Sequence, residues 1–513
     1  MRMLGTKTLI WPSMALLLLV SASKARADEP TTAGEPRVLS EPGEITDIVD
    51  AFDGDDVFDL HLTIGYQYTS RHSHIRRETN MGDLTRNPGL SLGNYVVSNM
   101  NVASYEETTS RLNTRLDVGV YHDIAVFFRL PIILANNRKL DDLAGSASQQ
   151  AVTLMGATGE APLFSIPFKS PQRSGVDYLA VGADFGFMNQ FRDPSKPTWL
   201  FGLEGRFSLG EPMHACTATP AIGQVDCAYP SDVNRNGRAG DVVDPTVGSL
   251  EGQFSTASRS PGVGRGTNGL EVHSYISKRV KYIEPYMGFR ALFEFQQDRS
   301  DYGVSDLKGS LVNHPPFEGW AIFGLQIIPW EQREQFQRVT FDMRLGASYR
   351  TEGRDYSQLF DALGSSSSYT LRQPNFATYK ASADPTNPSQ ADLSSQKVYF
   401  TGLTDVQQYA TFQGSGSVTW QAGEYIKFQL GVAYMREQSH VVTLDQPCNP
   451  DFKNDLGAAG SCRSSGSANG GPPFAATGIP NPNYRPTIDG VGRRFKADDG
   501  SVWDAWLNGI VMF

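Results

Sequence analysis

Hydrophobic and polar residues alternate along several segments of the chain. In the clearest one, apolar residues occupy every second position from Phe58 to Tyr68, and mostly polar residues lie between them. A second such segment runs from Arg338 to Arg350, with its apolar residues at the odd-numbered positions. A period of two turns one side of a segment toward an apolar surrounding and the other toward water, and no helical period fits it. The pattern therefore predicts β-strands with two different faces.

Twelve segments show this alternation. They span residues 56–71, 105–121, 123–135, 176–189, 198–210, 268–278, 282–296, 316–329, 338–351, 406–421, 425–441 and 502–513. Long connections at 72–104, 136–175, 211–267, 297–315, 352–405 and 442–501 alternate with short ones at 122, 190–197, 279–281, 330–337 and 422–424. Strict alternation over an even number of strands is typical of bacterial outer-membrane barrels, whose short turns face the periplasm.

The predicted fold is all-β: a closed transmembrane antiparallel β-barrel of about twelve strands in the cell outer membrane. Closure removes the unpaired strand edges that the water-free core of a bilayer does not tolerate. A secreted β-sandwich would alternate as well, but it would not need loops of about 50 to 60 residues on one side only. Aromatic residues also gather at both ends of the outward rows, with Trp199 and Phe513 at one end and Tyr66 and Trp503 at the other. Such girdles mark the two membrane interfaces.

The N-terminus has the three parts of a secretory signal peptide. Arg2 and Lys7 precede an apolar run from Leu9 to Val20, and the small-residue pattern Ala25-Arg26-Ala27 follows. We expect cleavage after Ala27 rather than a membrane anchor, because the run is short for a spanning helix and contains Pro12. The predicted organisation is a signal peptide at 1–27, an acidic periplasmic segment at 28–55 and the barrel at 56–513.

The acidic segment before the barrel carries a second pattern. Ile45, Ile48, Val49 and Phe52 recur at helical spacing within the stretch from Glu41 to Asp56. This spacing favours a short amphipathic helix that could plug the barrel. A periplasmic tether without a fixed position is the alternative.

Charge excludes one class of partner. The formal charge is −10, and loss of the four cations of the signal peptide changes it to −14. We therefore expect no nucleic-acid binding, which depends on cationic surfaces. The expected partners are outer-membrane lipid and lipopolysaccharide, with the barrel-assembly machinery during insertion, and the sequence defines no oligomeric state. A basic cluster where the first strand leaves the membrane would contact lipid phosphates or lie in a solvated loop; it comprises Arg71, His72, His74, Arg76 and Arg77.

The four cysteines form two pairs that are close in sequence, Cys216 with Cys227 and Cys448 with Cys462. Export to an oxidising compartment favours disulfides, and pairing within each loop needs the least loop closure. A zinc site is the alternative, but His214 is the one histidine near them and no second C-x-x-C element accompanies it.

One loop contains half of a calcium-binding pattern. Oxygen ligands recur at alternate positions in Asp232, Asn234 and Asn236, followed by Asp241. A calcium loop would end on a bidentate glutamate at its twelfth position, where Val243 stands. Calcium is thus one hypothesis and an ordinary polar turn is the other; no other cofactor is expected.

Strand phase predicts which charged side chains face the lumen. Cations and anions occur there in similar numbers, so they form either a structural ion-pair network or a solute pathway whose selectivity they set. These residues are Arg115, Asp117, Arg129, Asp184, Glu204, Arg206, Glu284, Arg290, Glu294, Asp342 and Arg344. Part of the wall is apolar, since Trp320, Ile322 and Ile328 also point inward.

No catalytic constellation is recognisable. The sequence contains neither G-x-S-x-G nor H-E-x-x-H nor a phosphate-binding glycine loop. His61 and His273 face inward, but strand counting places both in the periplasmic half. The expectation is therefore that the protein is not an enzyme.

Two stretches resemble known proteins. The last eleven residues, Trp503 to Phe513, end an alternating strand on phenylalanine and resemble the C-terminal insertion signal of outer-membrane barrels. The strand-turn-strand patterns of Arg115 to Pro131 and Ser174 to Gly210 resemble fatty-acid and aromatic-compound transport barrels. This second resemblance implies a channel or transporter-like conduit for small molecules. The alternative is a non-conducting surface-interaction or structural anchor that presents large extracellular loops, as part of a cell-envelope complex.

Overall fold

The computed structural model describes most of the regular structure of the chain. The described residues are 45–49, 51, 59–80, 97–143, 162–219, 224–228, 254–255, 260–297, 300–303, 312, 314–366, 368, 371, 401–444, 485–490 and 492–513.

Twelve long strands form the wall of a barrel, one for each predicted segment. In chain order they are β1 (Leu60–Asn80), β2 (Val97–Tyr121), β3 (Ile124–Asp142), β4 (Leu179–Met188), β5 (Thr198–Phe207), β6 (Thr267–Ser277), β7 (Ile283–Gln296), β8 (Glu318–Gln332), β9 (Gln337–Arg350), β10 (Tyr409–Gly423), β11 (Ile426–Glu437) and β12 (Phe495–Met512).

Each strand pairs antiparallel with the strands before and after it in this order. The ring closes where β1 pairs with β12, and Leu60 and Phe513 exchange two backbone hydrogen bonds of 2.9 Å. The predicted closed antiparallel barrel with an even number of strands is therefore confirmed.

The outer face of the barrel is apolar. Leu345 is 70% exposed, and large apolar side chains at other outward positions are similarly open. In water such a continuous surface would be unfavourable, whereas lipid satisfies it. Nine aromatic residues predicted for the two girdles lie on this exposed face, and Phe58 lies outside the described residues; the nine are Trp199, Trp420 and Phe513 at one end and Tyr66, Tyr68, Phe295, Tyr349, Tyr434 and Trp503 at the other.

Four strands extend further outward than the sequence pattern predicted. β1 continues to Asn80 instead of ending at 71, and β2 begins at Val97 instead of 105. β3 and β12 are extended in the same way, so much of the predicted loop 72–104 is a hairpin stem. The prediction failed here because outward positions beyond the membrane are polar and paired instead of apolar, as in the ion pair of 2.8 Å between Arg76 and Asp498.

Shorter elements lie in the connections on the extracellular side. They are the strands Phe168–Lys169, Arg173–Val176, Cys216–Thr219, Gln224–Ala228, Phe254–Ser255, Gly353–Asp355, Thr404–Val406 and His440–Thr443, the helices Phe360–Gly364 and Pro486–Asp489, and 3-10 turns at Asp301–Gly303 and, on the periplasmic side, Arg333–Gln335. Within the described ranges, no helix has the length and apolar character needed to span a membrane.

These connections pack over the outer end of the lumen and form an extracellular cap. Ile75, Tyr105 and Phe495 extend from the barrel strands into a buried apolar cluster. Its remaining members come from other parts of those strands and from the connections, and include Leu163, Phe164, Leu359, Leu363, Leu444 and Ile488. A second cluster centred on Tyr302 and Phe360 adjoins the cap. Apolar packing thus covers the extracellular end of the lumen.

Residues 45–49, the lumen segment, lie at the periplasmic end. Thr46 is buried, and its hydroxyl is 2.7 Å from that of Ser277 in β6. The carboxylate of Asp47 is 3.6 Å from the ammonium of Lys427 in β11. Residues 45–49 form a turn and an irregular stretch, so the helix considered from the spacing of Ile45, Ile48 and Val49 is not what these residues adopt. The side chains of Thr46 and Asp47 connect this stretch to the barrel wall.

Candidate functional site: the barrel lumen

The inward positions of β2 to β9 form a charged wall. Arg115 is central to one part of it: its Nε donates to both carboxylate oxygens of Asp117, at 2.8 and 2.9 Å, and its Nη2 lies 3.3 Å from Asp184. Asp184 also lies 2.8 Å from Nε2 of His273. A side chain on Gly202 would occupy the space of this His273 and Asp184 pair, which explains the glycine there.

A second chain of charges continues toward the extracellular side. Arg129 and Arg206 both bind the buried carboxylate of Glu204. Arg206 also binds Glu271, and Arg290 lies 3.9 Å from the same carboxylate. Burial of carboxylates is unfavourable unless they are paired, and here each is shared between two cations.

A third group lies on β7 and β9. Arg344 contacts Asp342 at 3.0 Å and donates to the hydroxyl of Tyr286 at 2.9 Å, and that hydroxyl donates to Asp342 at 2.6 Å. The ring of Tyr286 occupies the space that a side chain on Gly324 would fill. Glu284 is fully buried two residues before Tyr286.

Further pairs lie near the outer rim. Nε and Nη2 of Arg265 donate to the two carboxylate oxygens of Glu294, at 2.9 and 2.8 Å. Arg111 lies 3.5 Å from Asp177. Ten of the eleven charged residues predicted to face the lumen belong to these groups, and the eleventh, Glu284, is fully buried.

A chamber of about 360 Å³ lies between the charged wall and the lumen segment. Arg115, Arg344 and Lys427 supply its cations, and Asp117, Asp184, Asp342 and Asp47 supply its anions. The other lining residues are uncharged apart from the two histidines; they include His61, His273, Tyr275, Gln326 and Gln429.

Among the charged lumen residues that sequence reasoning missed are Glu271 and Lys427. Glu271 connects Arg206 to Arg290, and Lys427 contacts the lumen segment. Both are inward by the alternation of their strands, since Lys427 lies between the lipid-facing Ile426 and Phe428. The signal that would have found them was present in the sequence.

Two residues of the basic cluster at the end of β1 point into the barrel, which the sequence did not predict. Because the strand continues, alternation continues, and Arg71 and Arg77 point inward. Arg71 pairs with Glu437 at 2.9 Å, and Arg77 stacks on Phe495 at 4.9 Å. The interpretation that all five members contact lipid phosphates is therefore wrong for these two.

The structure joins Cys216 to Cys227 in a disulfide within the extracellular connections. Cys448 and Cys462 lie outside the described residues, as do Asp232, Asn234, Asn236 and Asp241 of the calcium hypothesis. Among the residues that the structure describes, no group of three or more metal-ligating side chains is arranged to hold an ion.

A buried ion pair anchors the cap above the lumen. Arg173 donates to Asp361 at 2.5 Å and to the carbonyl of His214 at 3.0 Å. The same carboxylate accepts from the backbone N–H of Cys216 at 3.0 Å. This ion pair links the disulfide-bearing connection to the helix Phe360–Gly364.

A closed antiparallel ring with an apolar exterior and a charged interior defines a transmembrane β-barrel. The protein is an outer-membrane β-barrel. No protein-family model and no curated protein sequence matched the chain.

Solved structures are similar only in their general architecture. An outer membrane channel from Pseudomonas putida F1 aligns over 92% of this chain and 99% of its own, with 9% identity and a TM-score of 0.31. The outer membrane protease OmpT from Escherichia coli aligns over 89% of this chain and 98% of its own, with 7% identity and a TM-score of 0.24. A FadL homologue from Pseudomonas aeruginosa aligns over 88% of this chain and 90% of its own, with 8% identity and a TM-score of 0.28. No residue role or substrate is transferred from these proteins.

Proposed function

We propose that this barrel is a gated conduit for small molecules across the outer membrane. The observation that supports it is the unfilled lumen: a chamber of about 360 Å³ adjoins arginines whose side chains remain about one-third exposed inside the barrel. A twelve-stranded barrel built only as an anchor could fill this space with side chains, as smaller barrels do.

The two ends of the lumen supply the gating elements. The lumen segment lies against the chamber from the periplasmic side, and the cap covers the extracellular end. Conduction then requires displacement of these elements. Residues 45–49 belong to no helix or strand, so the segment is the element that we expect to move first.

Planar-bilayer conductance of the mature chain, compared with a variant that lacks residues 28–54, tests the proposal. We expect larger or more frequent conductance steps from the deletion variant, with heat-modifiable migration on gels to show that its barrel is folded. A folded deletion variant that remains sealed would contradict the conduit.

That result would favour the second candidate, a non-conducting anchor. The observation behind it is the apolar packing of the cap, which is built like a domain core instead of a loose set of loops. If the protein is an anchor, the lumen should remain sealed both in the mature chain and in the variant that lacks residues 28–54.

A further inference from the structure

The lumen ion pairs share an asymmetry of exposure. The Arg115 side chain is 34% exposed, whereas its partner Asp184 is 9% exposed. Arg129 is 26% exposed beside Glu204 at 1%, and Arg344 is 33% exposed beside Asp342 at 10%. The same holds for Arg111 with Asp177, Arg265 with Glu294 and Arg290 with Glu271. Positive and negative charges are similar in number, but the arginine side chains are more exposed to the lumen than the carboxylates with which they pair.

Aromatic rings hold several of these guanidinium groups in place. The guanidinium of Arg290 lies 4.1 Å from the centre of the Trp320 ring, and that of Arg115 lies 4.2 Å from Phe127. Stacking fixes one face of a guanidinium and leaves its edge free to donate. Nε of Arg129 and Nε of Arg290 are buried and have no hydrogen-bond partner among the described residues, so a solute would have to reach these two arginines through their other guanidinium nitrogens.

The cations succeed one another along the barrel. Arg344 and Arg115 line the chamber at the periplasmic side. Arg129 is paired with Arg115 in the β2–β3 register, Arg111 lies four residues further out on β2, and Arg265 precedes β6 at the outer end. We call these residues, with Arg290, the arginine column.

The strand next to Arg344 carries no charge on its lumen side. Inward positions of β10 hold Thr411, Gln413, Ser415 and Ser417, which are short or neutral. A solute beside Arg344 therefore meets neutral hydrogen-bonding groups on the neighbouring strand. This arrangement favours anions over cations, because the buried carboxylates lie behind their arginines.

A carboxylate of the chain itself already pairs with a cation of the chamber. Asp47 of the lumen segment projects into the chamber and contacts Lys427. The segment thus places a carboxylate where an anionic solute would meet a chamber cation. This contact is independent of the exposure of the arginines.

We infer that the arginine column is a binding site for small organic anions, whose carboxylate or phosphate oxygens match the guanidinium fork. Passage of these anions rests on the proposed conduit, whereas their binding in the lumen does not.

Reversal potentials in a potassium chloride gradient test the selectivity of the deletion variant lacking residues 28–54. We expect chloride to be preferred over potassium. The paired substitution Arg344→Gln with Asp342→Asn leaves the net charge unchanged and removes one exposed guanidinium. It should lower the chloride-to-potassium ratio about two- to five-fold, the range expected for one partly screened charge near the path.

The pair Arg279→Gln with Glu331→Asn is the matched control. These residues form an ion pair of 2.8 Å at the periplasmic rim, and both are mostly buried, at 14% and 10% exposed. Their removal should leave the ratio unchanged. A cation-preferring channel, or equal effects of the two paired substitutions, would overturn the inference while leaving the conduit intact.

Fluorescence quenching tests the binding site without conduction. Iodide should quench Trp320, which lies beside Arg290, more strongly than caesium does, and the difference should disappear in Trp320→Phe. Potassium benzoate should reduce the iodide effect by competition. If conductance is absent and iodide preference is present, the conduit fails and the anion site stands; if iodide has no preference, the anion site is wrong.

Discussion

The carboxylate of Asp47 lies 3.6 Å from the ammonium of Lys427, so the chain that precedes the barrel is paired with a cation inside it. Lys427→Gln should loosen the lumen segment, because it leaves Asp47 without this charge partner in a mostly buried position. We expect the opening free energy of residues 45–49 to fall by roughly 1 to 2 kcal/mol. Hydrogen exchange of this peptide measures the change.

Lys278→Gln provides the matched control for that experiment. Lys278 binds the carbonyls of Pro194 and Lys196 at 2.6 Å each in a periplasmic turn. Equal acceleration of exchange in both variants would show that the contact between Asp47 and Lys427 does not hold the segment.

The buried pair of Arg173 and Asp361 should be important for the cap and unimportant for the barrel. Arg173→Met leaves the Asp361 carboxylate buried without its cation, which typically costs about 3 to 5 kcal/mol. We expect faster hydrogen exchange in the helix Phe360–Gly364 with an unchanged heat-modifiable barrel. Addition of Asp361→Asn should restore part of the protection; no recovery in the double variant would argue against charge burial as the cause.

Acid should loosen the connection that contains His440. Burial lowers the pKa of His440 from its ordinary 6.5 to about 4, and the ring stacks on Tyr409 at 4.1 Å. Since the folded pKa is depressed, protonation favours the opened state. Local stability is complete above about pH 6.5 and falls toward pH 4, by up to about 3 kcal/mol.

Hydrogen exchange of residues 438–444 as a function of pH measures this effect. His440→Gln cannot be protonated in this range, so its exchange should lose the additional acid dependence. An identical acid response in wild type and variant would exclude His440 as the origin.

Neighbouring residues on β11 test which face meets lipid. Leu430 is 60% exposed on the outside, whereas Gln429 lines the chamber. Leu430→Arg should lower the free energy of unfolding in lipid vesicles by about 2 to 4 kcal/mol if its position is near the bilayer centre. Gln429→Arg, which places the same charge in the lumen, should cost clearly less, and the reverse order would invert the assigned faces.

The disulfide between Cys216 and Cys227 should stabilise the extracellular connections alone. Its ring spans a sequence separation of 11 and encloses no barrel strand. Replacement of both residues by serine should cost roughly 3 kcal/mol locally in the chain-entropy model. We expect faster exchange around residues 213–219 with normal heat-modifiable migration; loss of the folded gel form would contradict a purely local role.

The membrane part of the fold could be predicted because lipid imposes a strict period on the sequence. β9 alternates over its whole length, since each outward side chain must be apolar and each inward one faces the lumen. Beyond the membrane this requirement ends. The outer part of β1 carries Arg76 outward and Ile75 inward, so its pattern is reversed and the strand could not be traced from the period.

The cap could not be predicted for a related reason. Leu359, Leu363 and Ile488 are buried within elements of only four or five residues or beside them, which are too short to show any period. The lumen charges were predictable individually from strand phase, whereas their partners depend on distances across the barrel. The contact of Arg129 with Glu204, 75 residues away, is one example.

The seam between β1 and β12 determines when the barrel can become complete. Leu60 and Phe513 are joined by hydrogen bonds although nearly the whole barrel sequence separates them. Such a contact has the highest entropic cost of loop closure in the sheet. It becomes favourable only after the other strand pairings exist. Every earlier intermediate therefore has two open strand edges, which expose the chain to aggregation until β12 has paired with β1.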